Sequence, residues 1–373
     1  VDADGKTGDG AGIHVQVPRE FFEEQVARAG HKLRAGRLAI GMIFLPRTDY
    51  AAQEACRTIV ESELLAFGYY IYGWRQVPVD ISIIGDKANA TRPEIEQIMF
   101  DNPQKADVEE IERELLIVRR TIEKRVREAA IRDFYICSFS TRSVIYKGMF
   151  LAEQLSTFYP DLADPRFISP MAIFHQRYST NTFPTWWLAH PFRMLAHNGE
   201  INTIRGNTNW MKSHEIKMAS AAFGAHDSAI KPIIQPGSSD SAALDAVFET
   251  LVRAGRSAPM AKILLMPEAW SKNQASMPPA HRAMYAYANG VMEPWDGPAA
   301  VCATDGRFVV AGMDRNGLRP MRYAITEDNL LLVGSEAGLV PVPEDRIRKK
   351  GRVGPGQMIA VDLAEGRFFE DRE

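Results

Sequence analysis

Apolar residues recur along the chain with two different spacings, and these spacings predict helices and strands in mixed order. An apolar residue at every third or fourth position is typical of amphipathic helices, whereas short alternating or continuous apolar runs are typical of strands. Helical spacing covers 19–29, 51–67, 107–130 and the segment between Ser241 and Gly255. Strand patterns cover 13–17, 38–45, 69–75, 134–138, 143–146, 171–174, 300–303, 308–311, 321–325, 330–333 and 358–362.

The segment 107–130 gives the clearest helical pattern. Asp107 and Glu110 form a start that resembles a capping box. Its apolar residues make one stripe, and the remaining Glu, Arg and Lys residues are interpreted as a solvated face. The stripe consists of Val108, Ile111, Leu115, Val118, Ile122, Val126 and Ala129. In 51–67 the residues expected to point inward are Ala55, Ile59, Leu64 and Leu65.

Neighbouring strand patterns separated by turn residues predict three hairpins. They join 134–138 to 143–146, 300–303 to 308–311 and 321–325 to 330–333. Several antiparallel hairpins argue against a doubly wound parallel sheet and favour an α+β fold, with helices over one mostly antiparallel sheet or two sheets face to face. Because no repeat or low-complexity linker interrupts the chain, we expect one domain over residues 1–373.

Composition narrows the function classes. The 373 residues are 46% apolar, which allows a large core, and the formal net charge is -3 with both signs mixed. No basic stripe suggests nucleic acid, no apolar run approaches the ~20 residues of a membrane span, and no signal peptide is evident. Cys56, Cys137 and Cys302 lie far apart in apolar contexts, without the spacing of a metal site. They predict buried thiols of a cytoplasmic protein.

Three polar segments stand out from this background: 175–182, 195–202 and 236–241. The first follows a strand, predicted to be buried, over 171–174. The second holds the turn dipeptide Asn198-Gly199 between a strand and a helix. Each feature has an ordinary structural explanation: an ion pair for Arg177, a turn for Asn198-Gly199 and an N-cap for Asp240.

Taken together, the polar residues of these segments suit an amino acid ligand. The guanidinium of Arg177 matches a carboxylate, and the carboxylate of Asp240 matches an ammonium group. The Asn198 amide and the Gly199 N–H suit the oxyanion of a tetrahedral intermediate. Small polar residues able to complete the lining are Thr180, Asn181 and Ser239. Such a pocket predicts amide hydrolysis at the side chain of an amino acid.

The same segments resemble the signature segments of class II glutamine amidotransferases, which are N-terminal-nucleophile (Ntn) enzymes. Longer strings resemble the large (alpha) subunits of bacterial glutamate synthases: 67–75, 176–186, 192–203, 293–299 and 313–320. The resemblance implies a four-layer αββα Ntn-hydrolase sandwich. It also implies that Arg177 binds the glutamine α-carboxylate, that Asp240 binds the α-amine, and that Asn198 and Gly199 form the oxyanion hole. Thr180 and Asn181 would line the glutamine site.

The family's nucleophile is a cysteine at the mature N-terminus, whose α-amine titrates near ~8 and takes the thiol proton. This sequence begins with Val1, and both of its ends look cut. We therefore expect a segment of a longer multidomain subunit that starts a few tens of residues after the family's N-terminus. We also expect that the isolated chain lacks the nucleophile, is inactive, and is less stable because a sheet edge is exposed.

The resemblance further implies partners outside this domain. Ammonia released from L-glutamine would pass to an FMN-containing synthase domain of the same polypeptide and aminate 2-oxoglutarate reductively. An iron–sulfur cluster and an NADPH-linked small subunit would belong to that remainder, with no cofactor or metal in this domain. Two alternatives stay open: a non-catalytic glutamine-binding or assembly domain, and another class II amidotransferase such as a phosphoribosyl-pyrophosphate amidotransferase.

Overall fold

The computed structural model describes residues 5–34, 37–102, 104–105, 107–177, 183–270 and 277–373. The chain forms two compact units, and each takes its residues from several segments. The first unit consists of Val1–Arg193, Met218–Lys231 and Arg253–Gly255. The second consists of Met194–Lys217, Pro232–Val252 and Arg256–Glu373. The prediction of a single domain stays a prediction.

In the first unit, seven described strands form two antiparallel sheets with the orders β6-β1-β7 and β3-β4-β2-β5. The strands are β1 (Ala11–Gln16), β2 (Ala39–Leu45), β3 (Tyr70–Gln76), β4 (Glu94–Asp101), β5 (Tyr135–Ser140), β6 (Ser143–Gly148) and β7 (Ala172–Gln176). The helices are α1 (Arg19–Arg28), α2 (Tyr50–Ala66), α3 (Asp86–Ala90), α4 (Val108–Glu128) and α5 (Leu155–Phe158). The apolar stripes of α2 and α4 share one buried cluster with β2, including Leu64, Leu115 and Ile43.

In the second unit, the described strands form a five-stranded sheet, β15-β14-β10-β9-β8, and a three-stranded sheet, β12-β11-β13. The strands are β8 (Leu195–Gly199), β9 (Ala299–Thr304), β10 (Phe308–Met313), β11 (Arg322–Thr326), β12 (Leu331–Gly334), β13 (Ile347–Arg352), β14 (Met358–Asp362) and β15 (Arg367–Phe369). The helices are α6 (Ile204–Lys217), α7 (Asp240–Arg253), α8 (Ala258–Leu265) and α9 (Pro279–Val291). All strand pairs in the described residues are antiparallel, which confirms the α+β class.

Two of the three predicted hairpins are confirmed, namely β9 with β10 and β11 with β12. The hairpin predicted over 134–146 is wrong, although both of its strands form. β5 pairs with β2, and β6 pairs with β1, so the two strands lie in different sheets. Apolar patterning identifies a strand but not its partner, since backbone hydrogen bonds are the same for every partner. The Glu112 carboxylate accepts hydrogen bonds from Ser140 Oγ and the Thr141 N–H at the corner between them.

The helix predicted over 107–130 is confirmed, and the Asp107 side chain accepts a capping hydrogen bond from the Glu109 N–H. The prediction of one solvated charged face is wrong, because α4 also contacts the segment 218–231 through Leu116 and Ile117. Charged residues are consequently buried in ion pairs: Glu112 with Arg253, and Arg119 and Arg120 with Glu123. In α2, Leu65 is 61% exposed rather than inward, while Cys56 and Val60 are buried. Among the described helices, none is both long enough and apolar enough to cross a membrane.

Candidate active site

The polar end of β8 meets the N-terminus of α7 inside the second unit. Two hydrogen bonds join them. The Ile201 N–H donates to Asp240 Oδ2 at 3.0 Å, and His197 Nδ1 lies 2.9 Å from Ser241 Oγ. The structure therefore brings together two of the three polar segments that the sequence singled out, around Asn198 and Asp240.

The N-cap of α7 is formed by Ser239 rather than by Asp240. Ser239 Oγ accepts a hydrogen bond from the Ala242 N–H at 3.1 Å, which satisfies an otherwise unpaired donor of the first helical turn. Asp240 is the first residue of the helix, and its Oδ1 accepts from the Ser241 N–H at 2.7 Å. Ser239 is buried, and its hydroxyl is engaged by the helix. Its predicted place in the pocket lining stays a prediction.

Asn198 and Gly199 end strand β8 instead of forming a tight turn. They pair with Ala300 and Ala299 of β9. Gly199 has a φ of 122°, and a Cβ there would lie 1.6 Å from the Pro298 carbonyl oxygen, so only glycine fits. Because side chains alternate along a strand, His197 and Asn198 point to opposite faces, the first buried and the second exposed.

A buried carboxylate fixes the start of β8. Asp245 Oδ1 accepts hydrogen bonds from the N–H groups of Met194 and Leu195, at 2.8 and 3.1 Å. Asp245 lies on the apolar side of α7, next to Leu244 and close to Val247, and is 1% exposed. Sequence analysis missed this residue, although a carboxylate inside an apolar stripe was a detectable signal.

The surroundings of His197 favour the neutral form of its imidazole. Burial lowers the pKa of His197, and the nearby Asp240 carboxylate opposes that effect. A neutral ring can donate through one nitrogen and accept through the other, so it can serve as a fixed hydrogen-bond partner for Ser241. His197, which directly precedes Asn198, is thus hydrogen-bonded to Ser241, which directly follows Asp240.

Arg177 follows β7 in the first unit. Its backbone N–H donates to the Gly10 carbonyl at 2.7 Å, and its Nη1 lies 3.4 Å from the Leu188 carbonyl oxygen. Contrary to the prediction, the strand before it is not fully buried. Only one of its faces is covered, so Ile173 is buried while Phe174 is 62% exposed. Thr180 and Asn181 lie outside the described residues, and the convergence of Arg177 with Asp240 stays a prediction.

The family profile described as "Glutamine amidotransferases class-II" matches residues 1–373. The chain belongs to this family. The predicted resemblance is thereby confirmed along the whole sequence.

Relatives of this class II glutamine amidotransferase include two glutamate synthases. The chain is 63% identical over 373 residues to the glutamate synthase [NADPH] large chain of Azospirillum brasilense, covering 100% of this chain and 25% of that protein. It is 44% identical over 373 residues to the ferredoxin-dependent glutamate synthase 2 of Synechocystis sp., covering 99% and 24%. The chain thus spans about a quarter of the length of these relatives.

Solved structures similar to this amidotransferase are more distant. The glutamine phosphoribosylpyrophosphate amidotransferase of B. subtilis, complexed with ADP and GMP, gives a TM-score of 0.36 at 12% identity. That match covers 97% of this chain and 49% of the other. A class-II domain protein from Silicibacter pomeroyi gives 0.27 at 18% identity, with coverage of 50% and 72%. The family assignment rests on the profile match alone.

The cysteines of this amidotransferase have the properties of packing residues. Burial raises the pKa of the Cys56 thiol to about 11, of Cys137 to about 12 and of Cys302 to about 11. A reactive cysteine has the opposite shift, because the thiolate is the nucleophile. Cys302 is only partly buried, in contrast to the prediction for all three. In the described part of the chain, no cluster of His, Cys, Asp and Glu side chains could hold a metal ion.

Proposed function

We propose that this chain is the glutaminase part of a glutamate synthase, and that it releases ammonia from L-glutamine. The observation that carries the proposal is the junction of the residues flanking Asn198-Gly199 with the start of α7, where Ile201 bonds Asp240 and His197 bonds Ser241. Membership of the class II glutamine amidotransferases supports glutamine as the substrate. The identity of 63% to a glutamate synthase large chain supports the assignment of the parent enzyme.

Each site residue then has a role that its chemistry suits. Arg177 binds the α-carboxylate of glutamine through its guanidinium, and Asp240 binds the α-ammonium group. Asn198 Nδ2 and the Gly199 N–H donate to the oxyanion that forms when the side-chain amide is attacked. Thr180 and Asn181 complete the lining. Ser239 supports Asp240 by capping α7.

The reaction follows from these roles. We propose that the nucleophile is an N-terminal cysteine, as in the rest of the family, with its α-amine as the base. Its sulfur bonds to the side-chain carbonyl carbon of glutamine, and the carbonyl π electrons move onto the oxygen held by Asn198 and Gly199. Collapse of this intermediate breaks the C–N bond and releases ammonia after protonation of the nitrogen. Water then hydrolyses the thioester to glutamate and restores the thiol.

The rest of the parent enzyme would use the ammonia. We propose that it passes to an FMN-containing synthase domain of the same polypeptide for the reductive amination of 2-oxoglutarate. An iron–sulfur cluster and an NADPH-linked small subunit would complete the cytoplasmic enzyme. The cysteines Cys56, Cys137 and Cys302 do not fit a cluster, being dispersed in the sequence with thiol pKa values raised by burial. We assign no residue of this chain to these groups.

Steady-state hydrolysis of L-glutamine by the full-length protein tests the proposal. Glutamate and ammonia should appear in equal amounts, and D-glutamine should not be hydrolysed, because Arg177 and Asp240 fix the α-carbon. Isothermal titration with L-glutamine separates the alternatives. Binding without hydrolysis would favour a glutamine-binding domain, and the absence of both would contradict the proposal.

A further inference from the structure

The segment 313–320 begins at the last residue of β10 and contacts the end of β8, and it has no role in the mechanism proposed above. Its first anchor is Asp314, which is 1% exposed. Asp314 Oδ1 accepts a hydrogen bond from the Ala299 N–H at 3.1 Å, and its Oδ2 accepts from the Asn316 N–H at 2.8 Å. The segment is therefore fixed to the strand that pairs with Asn198.

A second anchor ties the same segment to the residues after β8. Asp296 Oδ1 accepts from Asn316 Nδ2 at 3.2 Å, and its other oxygen pairs with Arg315. The Asp296 carbonyl in turn accepts from the Thr203 N–H at 3.2 Å and from Thr203 Oγ1 at 3.3 Å, and the Asp296 N–H donates to Thr203 Oγ1 at 2.9 Å. Two anchors, to Ala299 of β9 and to Asp296, thus fix this segment beside the end of β8.

This arrangement places the guanidinium of Arg319 next to the side-chain amide of Asn198. Arg319 Nη2 donates a hydrogen bond to Asn198 Oδ1, with 2.6 Å between the two atoms. Arginine carries donors only, so the end of the amide that faces it must be the oxygen. The NH2 group of Asn198 is consequently turned away from Arg319. A charged donor on the amide oxygen also polarises the amide and strengthens its N–H groups as donors.

We propose that Arg319 is a positioning residue for the oxyanion hole, an inference that rests on the proposed function. An unrestrained Asn198 amide can present either its nitrogen or its oxygen to the substrate, and only the nitrogen stabilises an oxyanion. The guanidinium of Arg319 selects the productive orientation before substrate binds. It contributes to the transition state through Asn198 and makes no bond to glutamine itself.

Steady-state glutaminase kinetics of the full-length enzyme test this role with matched substitutions. Arg319→Met should lower kcat about 10–100-fold and leave KM within about twofold, as expected for losing a charge-assisted hydrogen bond that acts in the transition state. Arg319→Lys keeps a donor-only cation and should recover part of kcat. Arg322→Met, the same substitution at an exposed position of β11, should behave as wild type.

The Asn198→Ala background separates positioning from a general loss of structure. Asn198→Ala alone should lower kcat about 10²–10³-fold. Adding Arg319→Met to it should change kcat less than about twofold, because no amide remains to be oriented. Equal losses in both backgrounds, or a wild-type kcat for Arg319→Met, would overturn the inference. A wild-type enzyme that does not hydrolyse glutamine would instead contradict the proposed function.

Discussion

The Asp240 carboxylate accepts a hydrogen bond from the backbone N–H of Ile201, with 3.0 Å between oxygen and nitrogen. Ile201 lies two residues after Gly199, so the acid that we assign to the substrate α-amine also holds the segment that we assign to the oxyanion. In the proposed mechanism, this hydrogen bond connects the site of the substrate α-amine to the oxyanion hole.

Two substitutions of Asp240 separate its structural role from its charge. Asp240→Asn keeps an acceptor for the Ile201 N–H but removes the negative charge, so the fold should persist while the KM for glutamine rises about 10–100-fold. Asp240→Ala removes both contributions and should also lower the unfolding temperature. Kinetics and thermal unfolding, measured together, check both expectations. An unchanged KM for Asp240→Asn would show that this carboxylate is structural only.

Replacement of Arg177 should weaken glutamine binding. Arg177→Ala removes a charge-assisted contact to the substrate carboxylate and should cost about 1.5–3 kcal/mol of binding free energy. Isothermal titration of the full-length protein measures this directly. Butyramide, which lacks the α-carboxylate and the α-amine, is the matched ligand control and should bind equally to wild type and variant. An unchanged affinity for glutamine would contradict the role given to Arg177.

Asp245 should contribute to stability rather than to binding. Asp245→Ala leaves the N–H groups of Met194 and Leu195 buried without this acceptor, and each such loss costs about 1–3 kcal/mol. Asp245→Asn retains an acceptor oxygen, so its free energy of unfolding should decrease less than that of Asp245→Ala. Urea unfolding of the three proteins gives the comparison. If Asp245→Ala were as stable as Asp245→Asn, these two hydrogen bonds would not stabilise the start of β8.

Acid sensitivity should arise partly from His14 on β1. His14 is fully buried, and burial, followed by the charge of Arg253, lowers its pKa from 6.5 to about 3. The unfolded chain takes up a proton below pH 6.5 and the folded chain does not. The free energy of unfolding should therefore fall by about 1.4 kcal/mol per pH unit between pH 6.5 and about 3.

The variant His14→Leu cannot take up this proton and provides the control. Urea unfolding of both proteins is measured at pH 7.5, 6 and 5. As the pH falls, the free energy of unfolding should decrease more steeply for wild type, by about 1.4 kcal/mol per pH unit below pH 6.5. Parallel pH profiles would show that His14 titrates alike in the folded and unfolded states.

Much of the fold could be predicted from periodicity, and the failures share one cause. Helix α4 and hairpins β9–β10 and β11–β12 were predicted because their signals are local. The pairing of β5 and β6 was not, because both have the alternation of a hairpin but hydrogen-bond to different sheets. Burial of Glu112 was missed for the same reason, since its partner Arg253 is distant in sequence.

For the candidate site, the sequence by itself determined which chemistry is present: an amide, a glycine N–H, a carboxylate and a guanidinium in three polar segments, in the pattern of the family. Tertiary structure alone decided which groups meet. Arg319 reaches Asn198 across 121 positions, and Asp245 is buried under β8. Side-chain chemistry is local information carried by each residue, whereas the orientation of an amide depends on a donor that only the folded chain brings within 2.6 Å.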